Sequence, residues 1–157
     1  MIEPKHLLLH VIRPVLQQLD LWSEPAERLL LGTACVESDC GRYLVQLGGP
    51  ALGIYQMEPA THDDIWENFL IGKANLLGRV KQYMPVQWTE QTLLIGNLYY
   101  ATAMCRIHYL RVTAPIPVSL PEQAEYWKEH YNTHLGKGRV DDYILAWHRH
   151  VGNMTWT

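Results

Sequence analysis

Glu37 is the acidic side chain of this sequence best placed to move a proton. It follows an apolar approach of Leu30, Leu31, Ala34 and Val36, and it precedes Ser38-Asp39-Cys40-Gly41. A carboxyl at a helix end, partly withdrawn from water, has its pKa raised and can serve as a general acid near neutral pH. A glutamate alone is more often a solvated helix-end charge, so its neighbours matter. Gly48-Gly49-Pro50-Ala51-Leu52-Gly53-Ile54-Tyr55-Gln56-Met57 is a turn-forming run that presents backbone N–H and C=O groups together with the Gln56 amide. Such groups suit hydrogen bonding to sugar hydroxyls and N-acetyl groups. The plainer alternative is a structural turn with Ile54 and Met57 in the core. Tyr131 and Asn132, within His130-Tyr131-Asn132-Thr133-His134, offer two more polar tips near a helix end. There the plainer alternative is that Tyr131 packs and Asn132 closes the helix before Gly136.

The elements that must position these residues read as helices. Pro4 opens a first helix with Leu8, Ile12, Val15 and Leu19 on one side, kinked or broken at Pro14. Ser23 caps a second, with Pro25 in its first turn, Glu24 and Glu27 near the positive end of the dipole, and Cys40-Gly41 at its close. Gly41 to Met57 is the least regular stretch, with a short helix or irregular strand around Tyr43 to Leu47. Pro59 opens a helix through Leu70, and another covers about Ala74 to Met84 before Pro85. Thr89 caps the longest, running to about Arg111. Pro115 and Pro117 make Thr113 to Ser119 an extended connector. Two helices follow, Pro121 to about Leu135 and Val140 to about Val151, and the last five residues form a tail. The expectation is one compact all-α domain over residues 1–157, of about seven helices with a Gly-rich loop.

Composition narrows the class of protein. The chain has 157 residues, 48% hydrophobic and 18% charged, which suits one globular domain with a real core. A net charge of −3 gives no electrostatic case for nucleic acid. The most apolar stretch, Leu93 to Val112, is interrupted by Asn97, Arg106 and His108, so no membrane span is expected. The N-terminus lacks the pattern of a secretory leader, so synthesis in a cytoplasm is expected. Three cysteines, Cys35, Cys40 and Cys105, fit buried reduced thiols better than a disulfide scaffold.

Taken together, Glu37-Ser38, then Ala51 to Thr61, then Tyr131-Asn132 resemble the three motifs of soluble lytic transglycosylases, of the goose-type lysozyme superfamily. In that family a Glu-Ser pair ends a helix, a Gly-Ala-x-Gly-Leu-Met-Gln-x-x-Pro-x-Thr turn follows, and Ala-Tyr-Asn-Ala-Gly comes late. Ala51, Gly53, Gln56, Pro59 and Thr61 fall in phase with the middle motif. Pro50 stands where the family has its first Gly, and Thr133-His134 replaces the final Ala-Gly. The helix after Asn97-Leu98, with Ala101 and Met104, is more loosely similar.

The resemblance implies a lysozyme-like fold and cleavage of the β-1,4 bond between N-acetylmuramic acid and N-acetylglucosamine in peptidoglycan. It implies Glu37 as sole acid and base, Tyr131 holding Glu37, and Ser38 supporting the active-site wall or binding substrate. It also implies Gly53, Tyr55, Gln56 and Met57 at the glycan groove, Asn132 as buttress of that corner, and no cofactor. Size, charge and the missing leader suggest a bacteriophage protein, a virion part or lysis enzyme, with glycan strands and other virion proteins as partners.

Hydrolytic glycosidases usually need a second carboxylate. Asp39 faces away on a continuing helix, and Glu58, Asp63 and Asp64 flank a helix start that favours them structurally. One carboxyl then points to a transglycosylase whose products carry 1,6-anhydro ends. The pairs His6/His10 and His130/His134 have helical metal-pair spacing but lack a third ligand, so no metal is expected. Trp66, Trp88, Trp127 and Trp147 read as core, and Tyr99 or Tyr100 as able to stack on a sugar.

Overall fold

The computed structural model describes residues 1–85 and 89–155, and Trp88 lies outside them. The described chain is mostly helical. Its extended pairing is limited to two isolated antiparallel bridges, Val45 with Leu52 and Leu52 with Met57. The helices are α1 (Pro4–Leu7), α2 (Arg13–Gln18), α3 (Glu24–Ser38), α4 (Pro59–Asn68), α5 (Ala74–Lys81), α6 (Glu90–Gly96), α7 (Leu98–Leu110), α8 (Leu120–Trp127) and α9 (Val140–His150). None is long and apolar enough to cross a membrane.

Pro14 does not break the first helix. A π-helical turn, Leu8–Ile12, joins α1 to α2, and the Arg13 N–H reaches back to the Leu8 carbonyl. Proline has no N–H, and its ring crowds the carbonyl four residues earlier. The wider turn absorbs both effects, so Leu8, Ile12, Val15 and Leu16 stay buried on one face.

Helix α3 is the central element. Leu29, Leu30, Leu31 and Ala34 are fully buried, and α3 packs most extensively on α9. Gly32 permits this approach, because a Cβ there would overlap the Tyr143 hydroxyl. The Tyr143 hydroxyl donates to the Leu29 carbonyl at 3.3 Å. Ser23 caps α3 as expected, accepting from the Ala26 N–H at 3.2 Å. Glu27, expected only to favour the dipole, is buried and takes two bonds from the Arg13 guanidinium, each 2.8 Å, and one from Trp22 Nε1.

Two expected helices are divided. The run from Thr89 to about Arg111 breaks at Asn97, whose backbone is extended at φ −117° and ψ 99°. The Asn97 Oδ1 accepts from the Tyr100 N–H at 2.9 Å, and its Nδ2 donates to the Tyr83 carbonyl at 2.8 Å. An asparagine after Gly96 thus does better as the cap of a new helix than within an old one. Thr89 precedes α6, but its hydroxyl pairs with Thr92 rather than capping. The helix expected over Pro121 to Leu135 changes to a π turn at Lys128–Asn132 and stops, because Thr133 takes φ 64°. Lys128 Nζ then clasps the exit by donating to Asn132 Oδ1, the Thr133 carbonyl and the Gly136 carbonyl, at 2.7, 2.8 and 3.1 Å.

Candidate active site

The end of α3 sets the site. Asp39, Cys40 and Gly41 are all left-handed, with φ of 53°, 55° and 81°. Ser38 holds this turn: its hydroxyl donates to the Ala34 carbonyl at 3.0 Å and accepts from the Gly41 N–H at 2.8 Å. Ser38 is fully buried, so its hydroxyl serves the turn at the end of α3 and is closed off from solvent.

Glu37 remains partly accessible. Burial pushes its carboxyl up to about 7, against the opposing pull of a hydrogen bond from Trp127. That bond runs from Trp127 Nε1–H to Glu37 Oε1 at 2.9 Å. Trp127 is the neighbour of Glu37 that sequence reasoning assigned only to the core. It is indeed buried, but a donor-only N–H needs a partner there. The available signal was its spacing, four residues before Tyr131, which puts both on one helix face.

Tyr131 joins the second and third motifs. Its hydroxyl, expected to hold Glu37, donates instead to the Tyr55 carbonyl at 2.8 Å, while the nearby Glu37 charge raises its pKa further above a value already lifted by burial. Its ring stacks on Tyr109 at 5.2 Å and meets His108 edge-on at 4.8 Å. Burial and the Arg111 charge push His108 down to about 4. Its Nδ1 lies 2.7 Å from Arg111 Nη2, so this neutral ring accepts there.

The Ala51–Met57 turn is closed by reciprocal bonds between Leu52 and Met57, 2.9 and 3.0 Å. Gly53, at φ 79°, lies against α6 so tightly that a Cβ would collide with the Leu94 carbonyl oxygen. Gln56 is partly exposed at φ 47°. Its Nε2 donates to the Gly53 carbonyl at 2.8 Å and the Tyr43 carbonyl at 3.4 Å. The other expected groove residues of this turn are buried. Tyr55 points inward because its hydroxyl pairs with Thr102 at 2.9 Å, and Met57 joins the core. They act by fixing the backbone, not by offering side chains to a groove. Asn132 is partly exposed, and its Oδ1 accepts from Lys128 Nζ at 2.7 Å.

Tyr100, expected as a possible stacking platform, is fully buried. Its hydroxyl is shared by His62 Nε2 at 2.7 Å and Trp66 Nε1 at 3.0 Å. Tyr99 is exposed and lies 5.7 Å from the Tyr83 ring.

Three candidate second carboxylates are engaged elsewhere. Asp39 meets His150 Nε2 at 2.6 Å and Arg42 at 3.5 Å, because the left-handed turn aims it at the end of α9. Asp63 is held by His62 and Gln91, and Asp64 by Arg111 and Asn68. Those hydrogen bonds lower both carboxyls from the usual range. Glu58 is exposed at the start of α4. Among the described residues, no group of three or more His, Cys, Asp or Glu side chains is gathered as a metal site needs. Compared with known proteins, the chain matches no family model, no curated protein and no solved structure.

Proposed function

We propose that the chain is a lysozyme-like enzyme that cleaves peptidoglycan between N-acetylmuramic acid and N-acetylglucosamine, with Glu37 as its acid. The observation that carries this reading is the Glu37 carboxyl itself: partly accessible, held by an indole N–H, and raised to about 7. A carboxyl in that state is neutral in half or more of the molecules at and below neutral pH, and it can protonate a leaving glycosidic oxygen. Tyr131 lies near enough to feel the Glu37 charge, and its hydroxyl is tied to the Gln56 turn through the Tyr55 carbonyl.

With Asp39, Asp63 and Asp64 engaged elsewhere, the reading extends to a lytic transglycosylase. Glu37 gives its proton to the glycosidic oxygen as the bond to C1 breaks. The resulting carboxylate then takes the proton of the muramic acid C6 hydroxyl as O6 bonds to C1. No water enters, and Glu37 ends protonated. The proposed setting is a bacteriophage particle that acts on the bacterial wall, with glycan strands as target and other virion proteins as partners.

The test is turbidity loss of purified walls with wild type and Glu37→Gln, followed by mass spectrometry of the products. The expected loss of rate in the variant is about 10²-fold or more, and the expected muropeptides are one water lighter than hydrolysis products. Equal rates overturn the site. Reducing ends alone overturn the transglycosylase step and return attention to Glu58.

One observation favours a second reading, a non-catalytic assembly protein with the same fold. Tyr43, Leu44, Val45 and Leu47 are all exposed along one arm, Leu47 at 78%. The arm borders a cavity of about 410 Å³ between α3 and α9, where Val36, Tyr43 and Leu145 stand beside the charged Asp39, Asp142 and Arg149. Contiguous apolar exposure of this kind marks contact surfaces. Wild type that leaves walls intact decides for this reading.

A further inference from the structure

The Trp127 indole is clamped. It stands 5.7 Å from the Tyr143 ring at 37°. The Gly138 backbone lies along its far edge, where a Cβ would come within 2.7 Å of Cη2. Only 1% of the residue is exposed. Its single polar group, Nε1–H, can donate but not accept, and it donates to Glu37 Oε1 at 2.9 Å. The two oxygens of a neutral carboxyl differ: the carbonyl oxygen is the better acceptor, and the other carries the proton. A fixed donor aimed at one oxygen therefore selects it as the carbonyl.

We propose that Trp127 is a positioning residue that keeps the proton of neutral Glu37 on Oε2, the oxygen the indole does not hold. On the enzymatic reading above, Oε2 is then the atom that meets the glycosidic oxygen. The titratable groups near enough to feel the Glu37 charge are Cys105 and Tyr109 of α7 and Tyr131 of the π turn. Burial raises all three well above their ordinary values, so they stay neutral while Glu37 titrates. Among the described residues, the indole N–H is the hydrogen-bond donor that meets the Glu37 carboxyl, and it favours the charged form against the larger effect of burial.

The hydrogen bond favours the charged carboxylate, so its loss raises the Glu37 pKa. Activity that needs the protonated acid falls as pH rises through that pKa. In Trp127→Phe the alkaline limb of the rate profile therefore moves to higher pH, by about one unit. With the carboxyl free to turn, kcat falls about tenfold while KM is kept. A residue that only fills space changes the melting temperature and leaves the limb where it was.

A second measurement needs neither activity nor substitution of Trp127. In ¹⁵N-labelled wild type, the Trp127 indole resonance should shift between pH 5 and 9 with a midpoint near 7, and in Glu37→Gln it should stay flat over the same range. An indole that does not titrate in wild type, or titrates equally in Glu37→Gln, overturns the inference whatever the walls do. An unmoved alkaline limb in folded Trp127→Phe overturns it as well. Titration of the indole by Glu37 in a protein that leaves walls intact upholds the coupling and overturns only the enzymatic reading.

Discussion

Glu37 carries a stability signature as well as a chemical one. Burial raises its folded-state pKa to about 7 from an ordinary 4.5. The native state therefore binds the proton more tightly than the unfolded chain. The stabilisation from this group is fully present below about pH 4.5, declines as pH rises, and is gone above about 7. The difference is at most roughly 3 kcal/mol. Glu37→Gln removes the buried charge while keeping the shape. Its melting temperature should exceed that of wild type at pH 8 and match it at pH 4, as scanning calorimetry can read. A variant no more stable than wild type at pH 8 contradicts the burial of Glu37.

At the scale of the elements, the site depends on backbone that only certain residues permit. Gly53 is the sharpest case, with φ 79° and the Leu94 carbonyl where a Cβ would stand. The same turn supplies the Tyr55 carbonyl to Tyr131 and the Gly53 carbonyl to Gln56. Gly53→Ala must strain the backbone and push α6 away, so it should cost more than about 2 kcal/mol. Urea unfolding measures the loss. If the variant is as stable as wild type, the turn does not pack on α6 as described. The two π turns matter at this scale too. One carries the chain past Pro14, and the other presents Tyr131 before the chain stops at Thr133.

Across the whole molecule, a few part-buried polar ties fix how the helices meet. Arg13 and Glu27 join α2 to α3 through paired 2.8 Å bonds, with Trp22 as a further donor. Gln123 ties α8 to the start of α3 by donating to the Pro25 carbonyl at 3.0 Å. Asp39 and His150 tie the ends of α3 and α9. Glu27→Ala removes the acceptor of Arg13 and Trp22, and because the Arg13 side chain keeps 28% of its surface in water, the loss should be about 1–2 kcal/mol. Chemical denaturation of Glu27→Ala and of the double variant with Arg13→Met separates the effects. The double variant should recover part of the loss, because no unpaired charge remains. Equal losses in the single and double variants contradict the role of an unpaired Arg13.

Periodicity, prolines and Ser23 determined the helical class and the place of most helices, because an amphipathic face and a cap are local properties. The type and position of Glu37, beside an apolar approach and a glycine-rich turn, singled it out as the acid candidate. The break at Asn97 was only half legible: its cap of Tyr100 is local, but the Tyr83 carbonyl that fixes its amide comes from another part of the chain. Nor was the inward turn of Tyr55 and Tyr100, whose hydroxyls find Thr102, His62 and Trp66 only in the folded core. The pairing of Trp127 with Glu37 joins residues 90 positions apart. Spacing along one helix can say which side chains share a face, but tertiary packing alone decides what that face meets and which carboxyl is withdrawn from water.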